Sequence, residues 1–269
     1  MTATQTTLQH AIDNTNGAQT MHAFSNVTLF TKPEAQPKTK KGLELGIMTF
    51  AMHLAPADIS GFEVCPMRTA GCTAACLNTA GRGRFDSVQL ARLNRTLFYF
   101  NDRPKFMRQL VREIERAIQY ASKRGFTPAF RLNATSDIPW HRVPCEYRGV
   151  QYASVMHAFP DVQFYDYTKV YKRITRETLP ANYHLTFSLA ENNDKHALAV
   201  LKANGNVAAV FRDKQTVQRA IDSGYFGFPV ISGDESDLRF TDPAGTINGL
   251  YAKGKAKKDA SGFVRDIAA

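Results

Sequence analysis

The chain has 269 residues, 43% of them apolar and 22% charged, with a formal net charge of +10. These values exclude a disordered or fibrous chain and leave room for one large α/β domain or two small ones. No apolar run reaches the ~20 residues of a membrane span, and the start lacks a signal-peptide pattern, so a cytoplasmic protein without a membrane partner is expected.

Residues 1–40, rich in Thr, Gln, Asn and Ala and ending in KPEAQPKTKKG, read as a flexible N-terminal arm with one short strand at Val27–Thr31. Residues 41–269 read as a single barrel-like domain. Its first strand is expected at Leu43–Ala55, followed by PADISG and the loop VCPMRTAGCTAACLNTAGRGRF. A helix is expected from about Asp86, capped by Asp86 or Ser87, with Leu90, Leu93 and Leu97 on its inner face. A second starts after Asp102 with Pro104 in its first turn, buries Phe106, Leu110, Ile114, Ala117 and Ala121, and ends at Gly125. Strands at 129–133, 162–168, 183–189, 206–211, 228–232 and 246–253 then alternate with helices at 146–158, 193–203 and 214–222. The alternation predicts βα units and a mainly parallel sheet: a partial or complete (β/α) barrel, with an open doubly wound sheet as the alternative.

The loop after the first strand holds Cys65, Cys72 and Cys76 in the spacing C-x6-C-x3-C. Its other residues are small or turn-forming, so the thiols are not packing an apolar strand. Three thiolates with no nearby histidine suit soft-metal chemistry, an iron–sulfur cluster first and Zn2+ second, and three ligands leave one position open. Cys145 stands alone in HRVPCEYRG and would close a zinc site as a fourth ligand; His53 is the histidine nearest the loop. Clustered free thiols fit a reducing compartment better than a disulfide scaffold.

Working residues of parallel α/β folds lie at the carboxyl ends of strands. The strand exits here supply Arg131, Asn133, Ser136 and Asp137, then Asp166, Thr168, Lys169 and Arg173, then Ser188 and Glu191, then Arg212 and Asp213, and finally Asp234, Asp237 and Arg239. Any one Asp, Asn or Ser can be a helix cap, but Arg131, Lys169 and Arg239 have no turn-forming role. Together they predict a polar rim able to hold an anionic small molecule or a nucleic acid, in keeping with the basic balance. Two basic stretches, GRGRF at 81–85 and KGKAKKD at 253–259, are either phosphate contacts or solvated turns. A carboxylate-bound divalent metal on Asp137, Asp166, Asp234 and Asp237 is a further option, which requires those side chains to meet.

The segments CPMRTAGCTAACLNTAGRG, RLNATSDIPW, YDYTKVYKR, LTFSLAENN, SGDESDLRFTDP and LYAKGKAK resemble the gene product 88 domain family of bacteriophages, prophages and plasmids, over about residues 43–264. That family has no established activity to transfer. A three-cysteine loop directly after the first strand of a βα barrel also resembles the radical S-adenosylmethionine enzymes. In these, three thiolates hold a 4Fe–4S cluster whose open iron binds the cofactor S-adenosylmethionine. The resemblance implies Cys65, Cys72 and Cys76 as cluster ligands, Ser136 and Asp137 at the cofactor's amino group, and an electron donor as partner. The chain departs from the usual C-x3-C-x2-C spacing and from the Gly-Gly-Glu motif at the second strand, where RLNATSD stands. The expected enzyme uses Asp137, Asp166, Lys169 and Glu191 for proton handling, and Arg131, Asn133, Ser136, Ser188, Asp234 and Arg239 to bind cofactor or substrate. The alternative is a zinc-stabilised nucleic-acid-binding protein of phage or plasmid replication or host takeover.

Overall fold

The computed structural model describes residues 27–267 apart from 32 and 34–36, so most of the expected arm lies outside the described residues. At the end of the expected arm β1 (Phe30–Thr31) pairs antiparallel with the next strand, and PKTKKGLE forms helix α1 (Pro37–Glu44). The expected strand at Leu43–Ala55 is accordingly shorter, β2 (Ile47–Met52), because Leu43 and Glu44 complete α1 and Gly46 turns the chain at φ 74°. The cysteine loop contains a short helix, α2 (Ala70–Ala74), and two 3-10 turns, Leu77–Thr79 and Gly81–Arg84.

Two long helices follow. α3 (Asp86–Asn101) buries Leu93 and Leu97, but Leu90 is 40% exposed and Phe85, not Asp86 or Ser87, holds the cap position. α4 (Arg103–Ser122) matches its pattern: Asp102 accepts from the Lys105 N–H (3.1 Å), Pro104 sits in the first turn, and the expected apolar face is buried. After β3 (Thr127–Arg131) the expected helix at 146–158 is mostly a hairpin, β4 (Cys145–Tyr147) and β5 (Val150–Tyr152), with helix α5 limited to Val155–Ala158. Arg148 and Gly149 cause it: both have positive φ (52° and 78°), as a two-residue turn matched to strand twist requires.

The rest alternates as expected: β6 (Gln163–Thr168), α6 (Lys172–Thr175), β7 (Tyr183–Ser188), α7 (Asp194–Lys202), β8 (Asn206–Phe211), α8 (Lys214–Ser223), β9 (Val230–Ser232), β10 (Ile247–Tyr251) and β11 (Val264–Arg265). β1 to β3 and β6 to β11 form one sheet of nine strands, parallel except for β1, in the order β1-β2-β3-β6-β7-β8-β10-β9 with β11 beside β8. Among the described residues the ladder is not closed: β1 and β9 are its ends.

Register shows how the layers stack. Phe50, Phe130, Phe164 and Tyr183 are successive partners across the sheet, as are Phe187, Val207, Ile247 and Val230. Side chains alternate faces along a strand, so Tyr183 and Phe187 put both rows on one face. That face packs against α3 and α4 in one core cluster and against α7 and α8 in another. From β2 to β8 the strands of the main sheet neighbour one another in chain order, in a mixed α/β fold with a mostly parallel sheet. The opposite face is polar, with Thr49, Arg131, Tyr165, Tyr167, Thr186, Asn206 and Asn248. The segment Leu238–Thr241 covers part of it: Leu238 packs on Ala129 and Tyr165, and the Phe240 ring lies against Tyr165 at 5.2 Å, tilted by 60°. No described helix is long and apolar enough to cross a membrane.

Candidate functional site

The cysteine loop crosses the carboxyl end of the sheet and is tied down on both flanks. Arg68 bridges Asp58 and Glu63 (2.8 Å each) and reaches Thr73, cross-linking the loop internally. Thr69 caps α2 by accepting from the Cys72 N–H. The stretch after β3 interlocks with it: the Asp137 N–H donates to Val64 O (2.7 Å), the Thr135 hydroxyl to Leu54 O (2.6 Å), and the Cys65 Sγ lies 3.9 Å from Thr135 O. From the exit of β7, Glu191 accepts from the Thr69 hydroxyl and the Gly71 N–H, both at 2.7 Å.

The loop carries three thiols, Cys65, Cys72 and Cys76, to this pole, close enough to influence one another's charge. Burial pushes the Cys65 thiol up to about 12, and charges on Asp137, Cys76 and Cys72 add to the rise. Burial also raises Cys76; the Asn78 backbone N–H opposes it, a charge on Cys72 adds to it, and Arg92 and Lys169 pull it back. The three sulfurs therefore lie within one another's field. All four cysteines are free thiols. Cys145 stays apart on β4 in the main core, raised to about 11 by burial alone. Burial and three arginines, Arg92, Arg131 and Arg95, set the state of His53, with no cysteine among the influences. Among the described residues no three His, Cys, Asp or Glu side chains are drawn together as a single metal ion requires.

Of the expected rim, Lys169, Ser188 and Asp137 stand at the thiol pole. Lys169 donates from Nζ to Ser188 Oγ (2.6 Å) and from its backbone N–H to Asp137 Oδ2 (2.9 Å). Asp137 is buried and ion-paired with Arg173; burial pushes its carboxyl up, and the guanidinium opposes that. Glu191 serves as the anchor of the loop.

Other expected residues are engaged elsewhere. Asp166 falls on the helix-packed face, since its neighbours Tyr165 and Tyr167 take the polar one. There it accepts from the Asn133 N–H (2.7 Å) and the Tyr183 hydroxyl (3.1 Å), and burial raises it to about 7. Asn133 organises its own turn, its Oδ1 accepting from Ser136, the Ile138 N–H and the Trp140 indole. Arg131 pairs with Asp237 (2.7 Å) on the polar face, Asp234 pairs with Lys253 (2.7 Å), and Arg239 is buried beside Asp242. The four aspartates of the divalent-metal option thus do not meet: Asp137, Asp234 and Asp237 each have their own cation, and Asp166 sits inside the core.

Three contributors escaped the sequence reading. Arg92, from α3, lies behind Cys76 and reaches Asn78. Phe263 places its ring 5.6 Å from Lys169 Nζ. It belongs to a C-terminal strap whose strand β11 takes the edge of β8 that β7 leaves free: β7 pairs with Asn206–Ala208, and β11 with Val210 and Phe211. Arg265 fastens the strap to Ala190 O and Asp194 (2.6 Å each), and Arg212 holds it through Asp259 O (2.9 Å) and Asp266 (2.8 Å). A Val–Arg dipeptide is too short to read as a strand, so only the register reveals it.

Fold and site define a mainly parallel α/β protein with a thiol-rich pole at the carboxyl ends of its strands. A family model described as Gene product 88 matches residues 25–267, and the chain belongs to that family. No curated protein and no solved structure matches the chain.

Proposed function

We propose that the chain is a cytoplasmic phage or mobile-element enzyme that carries a 4Fe–4S cluster on Cys65, Cys72 and Cys76, in the manner of radical S-adenosylmethionine enzymes. The observation that supports this reading is a single loop carrying three thiols within one another's field, beside Lys169, Ser188 and Asp137. The donor set fits: soft ligands only, with the nearby acids Asp137 and Glu191 already engaged. When bound, such a cluster supplies single electrons for radical chemistry.

The chain's own groups then have separate tasks. Arg92 and Lys169 offset negative charge on Cys76. Lys169 and Ser188 present a cation and a hydroxyl to an anionic ligand, and S-adenosylmethionine is the cofactor we assign to the pole. The strap, through Phe263, shields the Lys169 side from water.

Purification without oxygen, followed by iron and sulfide analysis, tests this. We expect a brown protein with visible absorbance that the Cys65→Ser, Cys72→Ser and Cys76→Ser variants lose and Cys145→Ser keeps. A colourless wild-type protein after anaerobic reconstitution, or one that takes up zinc alone, overturns it.

A further inference from the structure

Three turns that the cluster reading leaves unused lie side by side at the edge of the pole. The turn Gly254–Lys258 touches the turn Leu77–Thr79, which touches the turn Gly81–Arg84 at the foot of α3. Ala256 is buried and packs with Ala75, the neighbour of Cys76, so the first turn is firmly seated while Lys255, Lys257 and Lys258 stand out into solvent. At the other end of this row Phe85 is 56% exposed, with Arg84 and Leu77 exposed on the same stretch. An open groove of about 540 Å³ runs between α2 and the strap, lined by Gly71, Ala74, Ala75, Lys255 and Lys258. The acids along these turns are Asp86, in the first turn of α3, and Asp259, which is occupied by the Val264 N–H (2.9 Å) and the Ser261 hydroxyl (2.7 Å).

We propose that this surface binds single-stranded nucleic acid, with phosphates on Lys255, Lys257, Lys258 and Arg84 and one base stacked on Phe85. The inference deepens the enzyme reading, and rests on it, in naming the substrate class brought to the thiol pole. Lysines on a rigid turn attract phosphates without reading sequence. An exposed ring among cations offers a stacking platform, which an unpaired base can use and a duplex, with its ring faces hidden, cannot. The apolar side chains here are single and spaced by charges, unlike the continuous apolar face that lipid insertion needs.

The test is fluorescence anisotropy of labelled oligothymidylate with the full chain, in wild-type and Cys65→Ser forms. Phe85→Ala is expected to weaken binding about tenfold, the scale of one lost stacking contact. Changing Lys255, Lys257 and Lys258 together to Gln is expected to lower the slope of log affinity against log salt by about 2, at about 0.7 per lost phosphate contact. Arg108, Arg112 and Arg116, exposed on α4, changed together to Gln serve as the charge-matched control and are expected to bind like wild type. Absence of binding, tighter binding of a duplex of equal length, preferential binding to phosphatidylserine vesicles, or unchanged affinity in the Phe85 and lysine variants overturns the proposal. Binding by iron-free Cys65→Ser upholds the surface even if the cluster assay fails, and an iron-loaded chain that ignores oligothymidylate rejects the surface alone.

Discussion

Asp166 shows how a single buried group sets pH behaviour. Its folded pKa near 7 lies above the ordinary carboxylate value of 3.8, because burial disfavours the charge. Between those values the folded chain keeps a proton that the unfolded chain has released, so stability is greatest below the window and falls as pH rises through it. At about 1.36 kcal/mol per unit, the fall approaches roughly 4 kcal/mol. Asp166→Asn keeps an acceptor for the Asn133 N–H, its amide can donate to the Tyr183 oxygen in place of the bond now accepted, and it is expected to remove that part of the decline, read as the difference between the two urea-unfolding profiles from acid to neutral pH. Cys65 gives a second prediction at this scale. With its thiol pushed up to about 12, iron-free protein near pH 8 should alkylate at Cys65 far more slowly than unfolded chain does, as followed by peptide mass spectrometry. Fast alkylation would mean that Cys65 is not buried against Thr135.

At the scale of elements, the cysteine loop depends on what clamps it. Glu191→Ala removes two charge-assisted hydrogen bonds from the start of α2 and should cost about 2–3 kcal/mol, with fewer irons retained per chain after anaerobic gel filtration. Gly71 is needed for close approach: a Cβ there would come within 2.0 Å of Ser261 Oγ and 2.9 Å of Glu191 Oε1. Gly71→Ala should therefore lift the strap, and Ser261→Ala in the same chain should restore part of the lost stability. Local signals located α4, with its Asp102 cap, and the parallel strands, each with a continuous apolar run. They failed at 146–158, where the Arg148–Gly149 turn outweighs helix-like spacing, and at Leu90, which is exposed although its spacing matches that of the buried Leu93 and Leu97. The thiol loop was legible because its chemistry lies within twelve residues, from Cys65 to Cys76. Arg92 and Phe263 were not, since one reads as a helix-surface cation and the other as part of a tail.

For the whole molecule, the strap joins the last segment of the chain to the first βα connection. Arg265 supports it through Ala190 and Asp194 on one side of β8, and Arg212 through Asp266 on the other. Arg265→Ala should release β11 without unfolding the sheet, because the two main core clusters contain neither β11 residue. Limited trypsin digestion should then cut within Lys253–Lys258 at a rate at least several-fold above wild type, with the unfolding midpoint nearly unchanged. A variant that resists trypsin as well as wild type does would show that the strap is held by apolar packing around Ala75, Ala252 and Val264.

The amino-acid order alone determined the βα rhythm, the basic balance and the three-thiol loop, because each rests on neighbours within a turn or a strand. Only the tertiary structure decided which charges face that loop. Strand parity sent Asp166 into the core and Arg131 to the opposite face, and ion pairing engaged Asp234 and Asp237. A return crossing of nearly the whole chain brought Phe263 and the lysine turn against Cys76's neighbours. Which face a strand residue takes and what covers it depend on register between distant segments, and no local pattern encodes that.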